Sequence, residues 1–209
     1  MLKKAHLLEN ISKERIFVEW KKLLDGALAI EILEEYKPIT DLFFPEAALP
    51  EGLNREAFFK ASPLARHVSL FAKAGAEAYR SAMRRLKTDN LTVKSGASVI
   101  SALGKYDCDL ASAAFMLRDL GAGNARLLRE CEAILGYAEK IDISDIEVVE
   151  QSGIPYKLSD LAVNGNDLLA LGYKGAEIKS ALASLQTRVL RGELPNEKEA
   201  ILSALVNFS

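Results

Sequence analysis

The 209-residue sequence is poor in the residues from which most sites of chemistry are built. Its two cysteines, Cys108 and Cys131, lie 23 positions apart with no partner pattern. That argues against a disulfide framework or a zinc centre and points to packed free thiols in a reducing compartment. The two histidines, His6 and His67, fall in separate elements, neither with a His, Cys or acid at ligand spacing, so a metal-dependent phosphohydrolase is not expected. There is no Gly-rich loop ending in Lys-Ser or Lys-Thr and no Gly-x-Ser-x-Gly elbow. Asp107-Cys-Asp109 has the spacing of a magnesium-binding pair, but both acids precede an apolar helical run, where they oppose the helix dipole favourably without any catalytic role. No apolar run approaches the ~20 residues of a membrane span, and the N-terminus lacks the order of a secretory signal, so a soluble cytoplasmic protein is expected. Net charge is lacking too: 27 Lys and Arg against 29 Asp and Glu leave −2, so nucleic-acid binding would need a local patch.

What is present is helix. Ile16, Trp20, Leu23 and Ala27 recur at helical spacing within residues 11 to 35, with Ser12 as N-cap, Glu14 in the first turn and Pro38 as the stop. Further helical patterns run over 64–87, 93–104, 108–120 and 123–139, with Gly121-Ala-Gly-Asn124 as a turn. Residues 140–160 lose the period and read as a connection or subdomain border. Beyond it, Ile178, Leu182, Leu185 and Val189 line one helix, which Gly192 and Pro195 end. Asn196 and Glu199 have capping-box spacing before the stripe Ile201, Leu205 and Phe208. No segment alternates as a strand. The expected fold is all-α, multi-helical and elongated, in two helical subdomains, 1–140 and 141–209. Met1–Leu8 already looks helical with no cap before it, as in a fragment entered partway along an element.

Between Lys73 and Lys94, six cations face two acids, Glu77 and Asp89. On one continuous helix Lys73, Arg80, Arg84 and Lys87 would form a narrow stripe, able to follow a phosphate backbone or to serve as a solvated face. A second ambiguity is Asn164-Gly-Asn-Asp-Leu-Leu-Ala-Leu-Gly-Tyr-Lys-Gly175. A helix starting near Gly175 would offer amides beside Lys174 as a phosphate seat; equally, Gly172 is a left-handed cap and Gly175 a tight turn. Arg188 and Arg191 lie opposite the apolar stripe, facing solvent.

Two separated segments together resemble one family. Asn10-Ile-Ser-Lys-Glu-Arg-Ile16, with Glu19, Lys22, Leu23 and Leu24, resembles the late neck motif of bacterial class II tRNA nucleotidyltransferases, the CCA-adding and poly(A) polymerase-like enzymes. Asp160-Leu-Ala-Val-Asn-Gly-Asn-Asp-Leu-Leu169, Gly172-Tyr-Lys-Gly175, Ile178, Leu182, Leu185, Val189, Leu190, Gly192, Asn196 and Glu199 are similar to that family's closing helices. Met83-Arg-Arg-Leu-Lys-Thr-Asp-Asn-Leu91 looks like its body-domain turn. Where family members often carry a Pro beside the tail-loop glycine and a second glycine early in the next helix, this sequence has Ala176 and Lys179. The family's head domain, with its Gly-Gly loop and paired aspartates, and its Glu-Asp-x-x-Arg helix have no counterpart here.

The resemblance implies the end of the neck plus the body and tail, the part that holds tRNA by shape and phosphate. A head domain in cis, absent from this chain, would transfer CMP and AMP from CTP and ATP with magnesium. The chain alone is expected to be inactive and to hold no cofactor. By the resemblance Ser12, Arg15 and Glu19 support the neck, with Arg15 and Glu19 as a surface pair. Lys73, Arg80, Arg84, Lys87, Lys174, Gly175, Lys179 and Arg188 are the RNA-facing candidates. The rival expectation is a helical protein-interaction or dimerisation module without RNA affinity.

Overall fold

The computed structural model describes residues 11–206. Expectations for Met1–Leu8, His6, Asn10 and Phe208 lie outside the described residues. Among the described residues the chain is all-α, without a strand: α1 Lys13–Asp25, α2 Ala29–Glu35, α3 Lys37–Thr40, α4 Arg55–Lys60, α5 Pro63–Ser69, α6 Ala76–Arg85, α7 Asn90–Ala102, α8 Leu110–Leu120, α9 Ala122–Ile134, α10 Ser144–Gln151, α11 Gly165–Ala170, α12 Ala176–Leu190 and α13 Lys198–Val206. These helices form two compact units. The first runs to Lys105 and resumes over Gly123–Ile143; the second takes Tyr106–Ala122 and everything from Ser144 onward. The chain leaves the first unit for the last time close to the expected border at 140, but α8 has already been lent to the second.

In the first unit, Ser12 Oγ accepts the Arg15 amide at 3.3 Å and starts α1. Its buried face is Ile16, Phe17, Trp20 and Leu24. The run expected to continue to residue 35 stops at Gly26, whose N–H closes on Leu23 O at 3.1 Å, leaving Ala27 exposed. Pro38 enters the first turn of α3, where its missing N–H costs nothing. The single helix expected over 64–87 is two, α5 and α6, separated by a turn that ends at Gly75 with φ 86°. Only glycine adopts that conformation without a Cβ penalty. Arg66 ties the ends of two helices together, donating to Leu24 O, Ala61 O and Phe59 O at 3.1, 3.2 and 2.7 Å. The core beneath is aromatic. Trp20 stacks on Phe44 with centroids 4.1 Å apart, and Phe71 meets Tyr79 edge-to-face at 5.3 Å. At its centre His67 is 1% exposed: its Nδ1 accepts the Trp20 indole N–H at 2.9 Å, and its Nε2 lies 3.2 Å from Met83 Sδ. Cys131 is buried here, its thiol pushed up to about 12 by burial; Cys108, also expected to pack, is exposed.

In the second unit, Leu161, Val163, Leu168, Leu182, Leu185, Leu194, Ile201 and Leu205 form one apolar cluster, with Ile178 and Val189 packed against it. The α12 stripe therefore faces inward as its spacing predicts. Residues 140–160 hold a short helix, α10, which the loss of apolar period hid; it buries Ile146 and Val149 and packs on α8. Asn196 does not cap α13. Its amide instead clamps an extended segment, accepting from Ala162 N–H and donating to Asp160 O, both at 2.9 Å, and this leaves Glu199 in the first turn without its capping-box partner. Gly121 ends α8 with φ 76°, and α9 starts immediately, so the expected turn shrinks to one residue.

Candidate nucleic-acid interface

The expected stripe in the first unit loses its geometric premise when the helix breaks. Arg80 and Arg84 stand one turn apart on α6, whereas Lys73 lies in the turn before it and Lys87 beyond its end. Carboxylates have also claimed part of the charge. Arg80 pairs with Glu77, Lys87 with Glu14 at 3.5 Å, and Arg85 grips Glu46 through two nitrogens at 2.7 and 2.8 Å. Lys73, Arg84 and Lys94 make no ion pair with the described residues. The pairs at Arg80 and Lys87 are largely exposed, and such pairs contribute roughly 0–1 kcal/mol, so a polyanion can displace them.

Lys87 is the single non-glycine residue with a left-handed backbone among the described residues, at φ 55°. It closes α6: Lys87 N–H donates to Arg84 O and Thr88 N–H to Met83 O, at 3.0 and 3.1 Å. The same two-bond closure occurs on glycine at Gly172 after α11 and at Gly192 after α12. A Cβ in this region is unfavourable by ~1 kcal/mol. Lys87→Gly is therefore expected to raise the unfolding free energy by about 0.5–1 kcal/mol, read from a denaturant midpoint, even though the Glu14 contact is lost.

The neck residues depart from expectation in one respect: Glu19 pairs with Lys22 at 3.0 Å rather than with Arg15. Arg15 and Glu19 instead flank an apolar groove of about 540 Å³ whose walls include Ile16, Leu23, Phe43 and Phe44.

In the second unit Gly172 and Gly175 both turn the chain between α11 and α12. Gly172 has φ 94° and caps α11; Gly175, at φ 53°, precedes α12. The turn closes on itself, since Lys174 N–H donates to Glu177 Oε2 and Glu177 N–H to Lys174 O, both at 3.1 Å. A carboxylate thus holds the Lys174 amide, next to the Gly175 amides that the sequence offers to a phosphate. Lys174 and Lys179 are exposed and carry no ion pair among the described residues. Arg188, expected in solvent, is half-buried, while Arg191 is exposed and 3.7 Å from Glu193.

Lys179 borders a cavity of about 590 Å³ built wholly within this unit. Arg118 reaches it from α8, Tyr156 and Lys157 from the segment after α10, and Gln186 from α12. Gln186, 3% exposed, donates through Nε2 to Pro155 O at 3.0 Å and Tyr156 O at 2.9 Å, which fixes the segment presenting Tyr156 and Lys157. Arg118 donates to Thr187 Oγ1 at 2.9 Å and Asp119 Oδ1 at 2.7 Å and lies over the Phe115 ring. The Tyr156 hydroxyl beside it, then Asp160 and Glu150, hold the Lys157 ammonium above the usual lysine range. Sequence reading missed Arg118, Tyr156 and Lys157. The two-residue signal Tyr156-Lys157 after Pro155 was there, inside a stretch read as a connection, but nothing local places Arg118 beside Thr187, 69 positions away.

Residues 66–205 match the family model described as tRNA nucleotidyltransferase domain 2, and residues 1–49 the one described as "Probable RNA and SrmB-binding site of polymerase A". The chain is 30% identical to a CCA-adding enzyme of Lactococcus lactis subsp. cremoris (strain MG1363) over 217 aligned positions, covering 97% of this chain and 51% of that protein. It is 27% identical to a CCA-adding enzyme of Bacillus cytotoxicus, covering 94% and 52%, and 26% identical to one of Levilactobacillus brevis, covering 99% and 54%. The chain spans about half the length of the curated relatives it matches. No solved structure matches it.

Proposed function

The chain belongs to the tRNA nucleotidyltransferase family, and from that premise we propose that it is the part of such an enzyme that holds tRNA and sets its 3′ end for nucleotide addition. The observation that carries this reading is the match of residues 66–205, because it extends over parts of both helical units, and unpaired surface cations occur in each. Lys73, Arg80, Arg84 and Lys87 would meet phosphates in the first unit, and Lys174, the Gly175 amide, Lys179 and Arg188 in the second. Nucleotidyl transfer, with its magnesium and CTP or ATP, is placed in a domain outside this chain, joined to it in cis. The aspartate spacing at Asp107 and Asp109 does not supply a substitute, since Asp109 caps α8 by accepting Ser112 N–H at 2.8 Å and Ser112 Oγ at 3.1 Å. A cytoplasmic protein suits this role, and among the described residues no helix is long and apolar enough to cross a membrane.

Titration of deacylated tRNA against salt tests the proposal. Neutralising roughly five phosphates should give a slope of about −4 in log K against log salt. Changing Arg80, Arg84 and Lys87 together to alanine should weaken binding and flatten that slope by about 2. A second reading, docking of an apolar protein helix without RNA affinity, is favoured by the groove beside α1. Affinity for tRNA that is absent, or indifferent to salt, would select it.

A further inference from the structure

The cavity that Lys179 shares with Arg118, Tyr156 and Lys157 has features that a merely solvated surface lacks. Its volume of about 590 Å³ is in the range of sites that accept a molecule rather than a few waters. Its cations and its aromatic ring come from three separate elements, α8, the segment after α10, and α12, and the first two of these are held in place. The guanidinium of Arg118 is fixed by Thr187 and Asp119. The backbone beneath Tyr156 and Lys157 is fixed by buried Gln186, whose amide donates to two consecutive carbonyls. Lys179 stands free of ion pairs among the described residues, on the first turns of α12. Glu150 is the acid on the wall, against three cations. The Lys157 ammonium lies 5.1 Å from the centroid of the Tyr156 ring, so a cation and an aromatic face are presented together. Leu117, Leu158 and Ala183 make the remaining surface apolar.

Resting on the RNA-binding reading above, we propose that this cavity receives an unstacked nucleotide of the bound RNA. Its base lies on Tyr156, and its flanking phosphodiester is held between Lys157 and Lys179, with Arg118 behind. An aromatic face with paired cations suits a base and its phosphate, because every base has a stacking face and every linkage a negative charge. An acidic peptide would use the lysines but leave the tyrosine ring and apolar wall without purpose. Recognition here is indifferent to sequence and depends on a nucleotide being free of its helix. The Lys174 turn, already closed by Glu177, is then a secondary contact.

The test uses the full chain and unfractionated deacylated tRNA, with affinity measured by fluorescence anisotropy from about 50 to 200 mM salt. Lys157→Ala with Lys179→Ala should flatten the salt slope by about 1.5–2. Tyr156→Ala should weaken binding about tenfold at every salt concentration, with the slope unchanged, and Tyr156→Phe should retain wild-type affinity. Bound tRNA should also protect Lys157 and Lys179 of the wild-type chain from acetylation, a readout that needs no variant to fold. If the wild type binds with the expected salt dependence but the lysine pair is acetylated at its free rate and its removal changes neither affinity nor slope, the cavity assignment falls while the general reading stands. If the wild type shows no salt-dependent affinity for tRNA, both fall.

Discussion

Gly96→Ala is expected to lower the unfolding free energy by about 3 kcal/mol or more, in a position where helix propensity alone would favour alanine by about 1 kcal/mol. Gly96 is buried in the middle of α7, and a Cβ added there would lie 2.3 Å from Tyr79 Cζ and 2.5 Å from its Cε1. The ring cannot swing aside: Tyr79 is fully buried, packed edge-to-face on Phe71, tilted against His67, and its hydroxyl donates to Thr92 O at 3.2 Å. Either α6 and α7, the most extensively packed helix pair among the described residues, separate or the aromatic core shifts. Urea denaturation of the variant gives the loss directly. The cause is checked in a Tyr79→Leu background, where the clash is gone and the same substitution should become neutral or stabilising. If Gly96→Ala remains costly there, the close approach of ring and helix is not what Gly96 serves.

His67→Ala should cost a similar amount, about 3–4 kcal/mol, from the cavity left and from a Trp20 indole N–H deprived of its acceptor. Because Nδ1 accepts from Trp20, the proton sits on Nε2 and points at the Met83 sulfur, so the ring is neutral by construction. Burial, followed by the nearby Lys21 ammonium, pulls its pKa from 6.5 down to about 3. Between these values the unfolded chain carries a proton on His67 that the folded chain refuses. Stability from this residue is complete above pH 6.5 and is lost as pH falls toward 3, with a slope approaching 1.4 kcal/mol per pH unit. Many carboxylates titrate over the lower part of that window, so the measurement is a difference. Wild type and His67→Gln, unfolded in urea at a series of pH values, should converge in stability as the solution is acidified. Parallel curves would mean that His67 is as easily protonated folded as unfolded.

The elements that the sequence disclosed are those whose signal is local. The face of α12 follows from the spacing of Leu182 and Leu185, and Ser12 marks the start of α1 because a cap is a three-residue interaction. Helix existence was legible where length gave the period room; α10, eight residues with three acids, had too little. Breaks were harder. Gly75 and Gly26 sit within otherwise helical patterns, and only the packed structure shows that the chain turns at each. The candidate interface fared worse for the same reason. A stripe computed along one ideal helix assumed continuity across Gly75, and the partners that claim Arg85 and Lys87, namely Glu46 and Glu14, are 39 and 73 positions away in sequence. Asn196 had the spacing of a cap and a different occupation, because a side-chain amide bonds whichever backbone lies nearest in space.

The loan of α8 to the second unit has a consequence for synthesis. As the chain leaves the ribosome, α8 emerges with Ala113, Ala114, Met116 and Leu117 ready for burial, but α10 and α12, the helices it packs against, have yet to be made. Meanwhile α9, which follows directly, returns to the first unit. The nascent protein must carry this apolar helix unfilled across the completion of its neighbour, so a pause or a stop codon shortly after Ile143 would yield an aggregation-prone product rather than a tidy half-protein.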